Sequence, residues 1–155
     1  MIYKGKETDR ELWFLEQVEL IDNGKIKEAD IYGLLDYLAE SSATEIHSVE
    51  SLLDNLQMHL LKWKYQPERQ SGSWKLSIYN KIEGINRVIN KRKTIGNWIS
   101  RGDIFIRSFQ KARIKASKET NLPLIKFPIN PEWTLDNILD INWINKFLEE
   151  NKKKG

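Results

Sequence analysis

Apolar residues recur at alternating steps of three and four along most of the chain, and no stretch shows the strict alternation of a half-buried strand. The clearest case is Ile46, Val49, Leu53, Leu56, Leu60 and Trp63, the stripe of a helix packed along its neighbours. This helix should stop before Pro67. Upstream, Thr8 or Asp9 can cap a first helix that runs to about Ile21, with Leu12, Trp13, Leu15, Val18 and Leu20 on a broad face and Asn23-Gly24 at its end. Asp30 opens a short second helix carrying Ile31, Leu34, Leu35 and Leu38, with an interruption expected near Ser41-Ser42.

Downstream of Pro67 the same periodicity resumes. Ser73 is the expected N-cap of a fourth helix, with Trp74, Ile78, Ile82, Ile85 and Ile89 on one side and Gly96 as its end or break. A fifth helix groups Trp98, Phe105, Phe109, Ala112 and Ala116, and Asn121-Leu122-Pro123 terminates it. The run LIKFPINPEW, with prolines at 128 and 131, opposes both helix and central strand and should lie extended over the bundle. Thr134 then caps a short turn, and Asn142 to Glu149 form a last helix before a flexible tail from about residue 151. The expectation is an all-α, single-domain helical bundle, residues 1–155, with about five main helices, an extended proline-containing segment and a short C-terminal helix.

Composition narrows the chemistry. With 155 residues, 40% of them hydrophobic, the chain can bury a sizeable core. It has no cysteine and only two histidines, His47 and His59, which excludes disulfides and thiolate zinc sites and disfavours any metal centre. Neither a glycine-rich phosphate loop nor a dinucleotide fingerprint occurs, so no cofactor is expected. The N-terminus lacks the apolar core of a signal peptide, and no apolar run is long enough to span a bilayer; a cytoplasmic protein without membrane contact is expected.

Charge is distributed unevenly. Residues 1–56 carry 5 Lys/Arg against 13 Asp/Glu, whereas residues 75–118 carry 12 against 2. Helices of opposite charge lying side by side would explain this, and so would a basic face for nucleic acid built from Arg87, Lys91, Arg92, Lys93, Arg101, Arg107, Lys111 and Arg113, with Lys115, Lys118 and a stacking Trp98.

The most unusual stretch is HLLKWKYQPERQSGSW, residues 59–74. His59, Lys62, Trp63, Gln66, Pro67, Ser73 and Trp74, with Glu119 as a distant partner by type, form either a catalytic pocket or a packing corner. Tyr65-Gln66-Pro67 and Ser71-Gly72-Ser73 carry the turn chemistry of a chain reversal, and Ser73 lacks a nucleophile-elbow context, so a corner is expected.

Together with ETNLPLIKFP (119–128) and PEWTLDNILD (131–140), this stretch resembles the bacterial domain of unknown function 29 family over most of the chain. The resemblance implies an all-helical fold and no assigned activity. The sequence departs from the family pattern at Asp36-Tyr37, where an acidic pair is usual, and at Ile82, where an arginine commonly follows Ser-Trp. A carboxylate–arginine site is therefore not implied. Three functions stay open on the residues: a protein-interaction or regulatory module with a protein partner and no catalysis, a nucleic-acid binder, and an enzyme with a pocket near His59.

Overall fold

The computed structural model describes residues 7–154, with the backbone alone described at Glu7, Thr8, Ser41 and Ser42. Among them are seven α-helices and no strand: α1 (Glu7–Asp22), α2 (Ile31–Tyr65), α3 (Gly72–Lys91), α4 (Lys93–Ile99), α5 (Gly102–Thr120), α6 (Leu135–Leu139) and α7 (Ile141–Glu150). The fold is all-α, as the periodicity indicates. Among the described residues no helix is long and apolar enough to cross a membrane. The chain divides into two compact units, residues 1–45 and 46–155.

The first unit holds α1 and the start of α2, joined through a short turn. Gly24 takes a left-handed φ of 78°, and the Lys25 and Gly24 amides return to the Leu20 and Ile21 carbonyls, closing α1 with paired 6→1 and 5→2 hydrogen bonds. Asp30 accepts from the Gly33 amide at 2.9 Å, and its own amide donates to the Gln17 side chain at 2.7 Å. Gly33 is required there, since a Cβ would lie 2.9 Å from the Trp13 ring. Phe14 stacks on Tyr37 at 4.5 Å between centroids, and Arg10 covers the same tyrosine and pairs with Glu40. α1 already includes Thr8 and Asp9, so neither is its cap.

Two boundaries differ from the pattern. No break occurs at Ser41-Ser42: α2 is one helix of 35 residues. The segment has no proline or glycine, and Thr44 satisfies its hydroxyl inside the helix on the Glu40 carbonyl at 2.9 Å, so polar side chains interrupt the stripe without ending the helix. Gly96 likewise does not end a helix. The break falls at Arg92, which is extended (φ −138°, ψ 94°), and Gly96 lies inside α4, where a Cβ would meet the Ile89 side chain at 3.0 Å. The glycine serves close packing of α4 on α3.

The second unit is a bundle around the C-terminal half of α2. Its residues Val49, Leu53, Leu56, Leu60, Leu61 and Trp63 are buried with Ile78, Ile82 and Ile85 of α3, Phe105 and Phe109 of α5, and Ile144, Phe147 and Leu148 of α7. α3 turns back antiparallel to α2, bringing Gly84 against Leu52 and Trp74 beside Lys62. α5 runs parallel to α2, because pairs along the seam keep a near-constant offset: Glu50 with Arg107, Asn55 with Lys115, Lys62 with Glu119. Asn121 takes a left-handed φ of 58° to end α5, and the segment after Pro123 descends along that helix, pinned by Arg113 on the Phe127 carbonyl and Gln110 on the Ile129 carbonyl. Thr134 caps α6 in a capping box with Asn137.

Candidate functional site

Residues 59–74 and the end of α5 at Glu119-Thr120 meet at one end of this bundle, where α2 stops, α3 starts and α5 stops, and Glu132 reaches Lys64 and Tyr65 there. α6 lies instead against the far part of α3, where Asn86 donates to the Leu139 carbonyl at 3.3 Å. The Gln66 amide still bonds the Lys62 carbonyl at 2.9 Å, and α2 goes no further because Pro67 lacks the amide that would continue it and opens a single 3-10 turn, Pro67–Arg69. The N-cap of α3 is Ser71, not Ser73: the helix starts two residues earlier than a Ser73 cap implies, at Gly72, and Ser71 Oγ accepts from the Trp74 amide at 3.3 Å. Ser73 lies exposed in the first turn, 3.5 Å from Ser71 Oγ.

Lys62 is buried, its ammonium 3.1 Å from Glu119 Oε2 and 4.6 Å from the centre of the Trp74 ring. A carboxylate and an aromatic face thus hold one cation at the meeting point of α2, α3 and α5. Trp63 is buried and donates its indole N–H to the Leu148 carbonyl at 3.0 Å, which fixes α7 to α2. Gln66 reaches the Thr120 carbonyl at 3.5 Å. Thr120 turns its hydroxyl onto the Ala116 carbonyl at 2.7 Å and accepts from the Leu122 amide, so Glu119-Thr120-Asn121 is the terminus of α5 written in hydrogen bonds.

His59 sits one helical turn before Lys62, half-buried, with Nδ1 buried and unbonded. Burial, together with the nearby charges of Lys62 and Lys81 and against that of Glu119, pushes its pKa down to about 4. The ring is therefore neutral at pH 7 and is no proton donor. A general base needs a group to orient it; Glu119, the carboxylate that offsets the shift, is engaged by Lys62.

Residues outside this list bind the corner together. Gln70 donates to the Trp63 carbonyl at 2.8 Å and to the Asn151 carbonyl at 2.6 Å, and accepts from the Lys153 amide at 2.9 Å. Its side chain ties α2 to the residues after α7. Glu132 accepts from Lys64 and Tyr65. Burial raises its carboxyl, and these hydrogen bonds with the Lys64 charge outweigh that and hold it below the usual range. Deeper in the bundle, fully buried Gln57 donates to Ser108 Oγ at 3.1 Å and accepts from the Trp133 indole at 2.9 Å. Beside it Asp54 is buried, and burial pushes its carboxyl up against the opposing effects of Ser108, Lys111 and Lys115, with Glu50 adding to the rise. Gln57 is the one signal legible in advance: a polar residue following Leu53 and Leu56 within an apolar stripe.

The basic residues of α3 to α5 are spread over several surfaces. Arg87 pairs with Glu83 within α3 at 2.8 Å, while Lys91, Arg92 and Lys93 are exposed at the α3–α4 junction. Arg101 reaches Asp103 at 3.3 Å and covers the Trp98 ring, whose indole N–H donates to Glu50 at 3.2 Å, so Trp98 is not a bare stacking platform. Arg107, Lys111 and Lys115 form a row on α5 beside Glu50, Asp54 and Asn55 of α2, and Arg113 turns instead to the Phe127 carbonyl. Within this unit, opposite charges on α2 and α5 lie side by side.

In this arrangement the residues of the unusual stretches hold helix ends together: a ring on a cation, an indole on a carbonyl, an amide on a terminus. No curated protein and no solved structure matches the chain. The model of a family described as a domain of unknown function, DUF29, matches residues 6–144, and the chain belongs to that family.

Proposed function

We propose that this DUF29 chain is a protein–protein interaction module, without catalysis of its own, that works in the cytoplasm through the exposed apolar stripe at the start of α2. The observation that carries the reading is the exposure of Ile31, Leu35 and Leu38, at 41%, 58% and 49%, on i, i+4, i+7 spacing. An apolar helical stripe left in water marks a contact surface, and its three-four spacing suits a helical partner. Leu12 and Leu15 on α1 are exposed too, at 56% and 58%. Residues 7–45 carry 3 Lys/Arg against 11 Asp/Glu, so the complementary partner surface is basic and apolar.

The enzyme reading has less support, since Lys62 and Glu119 neutralise each other and the buried Nδ1 of His59 finds no hydrogen-bond partner among the described residues. The nucleic-acid reading has less support because Arg87, Arg101, Arg107 and Arg113 are engaged within the chain. The test is a photo-crosslinking amino acid placed at Leu35 in the full chain in its native host, with exposed Asn80 of α3 as the control position. A discrete protein adduct at 35 and none at 80 is expected. Absence of any adduct at 35 contradicts the reading.

A further inference from the structure

We infer that the partner is a second copy of the chain, the acidic α1/α2 hairpin of one copy docking on a basic, apolar face that α5 and the segment after it present on the other. This rests on the interaction reading above and supplies its partner.

The receiving face lies within residues 46–155, which carry 20 Lys/Arg against 11 Asp/Glu. Gln110 and Arg113 pin the descending segment to α5 through the carbonyls of Ile129 and Phe127, and this leaves Ile114, Ile125 and Ile129 exposed at 47%, 87% and 68%. Large aliphatic side chains are thus left in water on α5 and on the strap pinned to it, apart from the clasp, which offers apolar contact for a partner there. Lys111, Lys118 and Lys126 are exposed on the same α5 and strap elements. The hairpin has the opposite chemistry, with Ile31, Leu35 and Leu38 among the acidic residues of α1 and α2.

Charge decides between the two ways in which copies can meet. Hairpin on hairpin would place two surfaces, each with 11 acidic residues against 3 basic ones, face to face, whereas hairpin on the α5 face pairs acid with base while both apolar surfaces are covered. Each copy carries both faces, and reciprocal exchange between two copies is the arrangement that covers both without leaving an open face to extend a chain of copies. Part of the attraction is between exposed charges, so it weakens with salt, and the aliphatic contact keeps a residue of affinity at high salt.

The experiment is sedimentation of the full chain from about 1 to about 300 μM, a range that resolves micromolar dimers. Association is expected, loosening about tenfold or more between roughly 50 and 500 mM salt as the Debye length shrinks. Leu35→Glu and Ile129→Glu should each abolish the dimer, since either places a carboxylate in an apolar contact; both positions are exposed, and thermal melts confirm that the variants fold. Mixing the two variants is the decisive arm. One intact hairpin then meets one intact α5 face, and a heterodimer held by a single contact should reappear, weaker than the wild-type dimer. A monomer throughout the range at low salt, a dimer indifferent to Ile129→Glu, or no recovery on mixing overturns the inference. The Leu35 crosslink separates the two failures: an adduct of twice the chain mass supports the second copy, an adduct to a different protein overturns it while keeping the interaction reading, and no adduct overturns both.

Discussion

The two halves of α2 carry the same three-four apolar spacing and meet different fates. Val49, Leu53, Leu56 and Leu60 are wholly buried among α3, α5 and α7, whereas Ile31, Leu35 and Leu38 remain substantially in water. In the first unit α1 engages α2 through aromatic rings and Gln17, on a side of the helix that the 31-35-38 stripe does not share. Periodicity thus specifies a face, and topology specifies whether anything covers it. The buried half makes the fold; the exposed half is where a partner adds what the chain lacks.

Several measurements sharpen or break this comparison. The largest effect is expected in the clasp and core: Trp63→Ala and Leu56→Ala should each cost about 3–5 kcal/mol in denaturant melts, through lost burial plus a cavity. Leu35→Ala, an identical chemical change on the exposed half, should stay within about 0.5 kcal/mol. Equal losses at positions 56 and 35 would erase the distinction. Gln57→Ala comes next, at about 2–4 kcal/mol, because it strands the Trp133 indole and the Ser108 hydroxyl in the core.

His59 predicts a pH dependence. Its folded pKa lies below its ordinary value of 6.5, so the unfolded state binds the proton first and stability falls as pH drops from 6.5 towards 4. With the ring only half-buried, about 1–2 kcal/mol is at stake once solvent screening is allowed for. Asp54 acts in the opposite direction. Its raised carboxyl takes up a proton sooner in the folded state, which favours folding as pH falls through the range above 3.8. The difference between wild type and His59→Gln isolates the histidine: that difference should narrow as pH falls from 6.5 to 4, and a constant gap would contradict the buried neutral ring. The smallest effect separates two serines. Ser71→Ala should cost about 0.5–1 kcal/mol through the lost cap, while Ser73→Ala should be close to neutral.

Much of the fold was legible from spacing alone. The stripe of α3, the part of the α5 stripe from Phe105 to Ala116, the stop at Pro67, the end of α5 at Asn121 and the Thr134 cap follow from local geometry and turn chemistry, whereas Trp98, grouped with α5 by its spacing, belongs to α4 ahead of a break at Ser100-Arg101. What escaped was set by tertiary packing. Nothing local at Arg92 signals a break, which arises because α4 folds back on α3 over Gly96; nothing at Ser41-Ser42 is strong enough to stop a helix with good formers on both sides. At the corner the residue types were readable and the pairings were not. Lys62 meets Glu119 across 57 positions of chain, and Gln70, which ties Trp63 to Asn151, carries no mark in its own neighbourhood.

The absence of cysteine from this chain allows the central claim to be tested by thiol labelling. In dilute buffer the thiol introduced by Leu35→Cys should react at close to the rate of a free thiol, and that introduced by Leu56→Cys should be protected by the folded bundle. In the cells of the native host the position 35 thiol should become protected as well. Equal reactivity at position 35 in cells and in dilute buffer would contradict the account, because a surface that serves a partner cannot stay open where the partner is present.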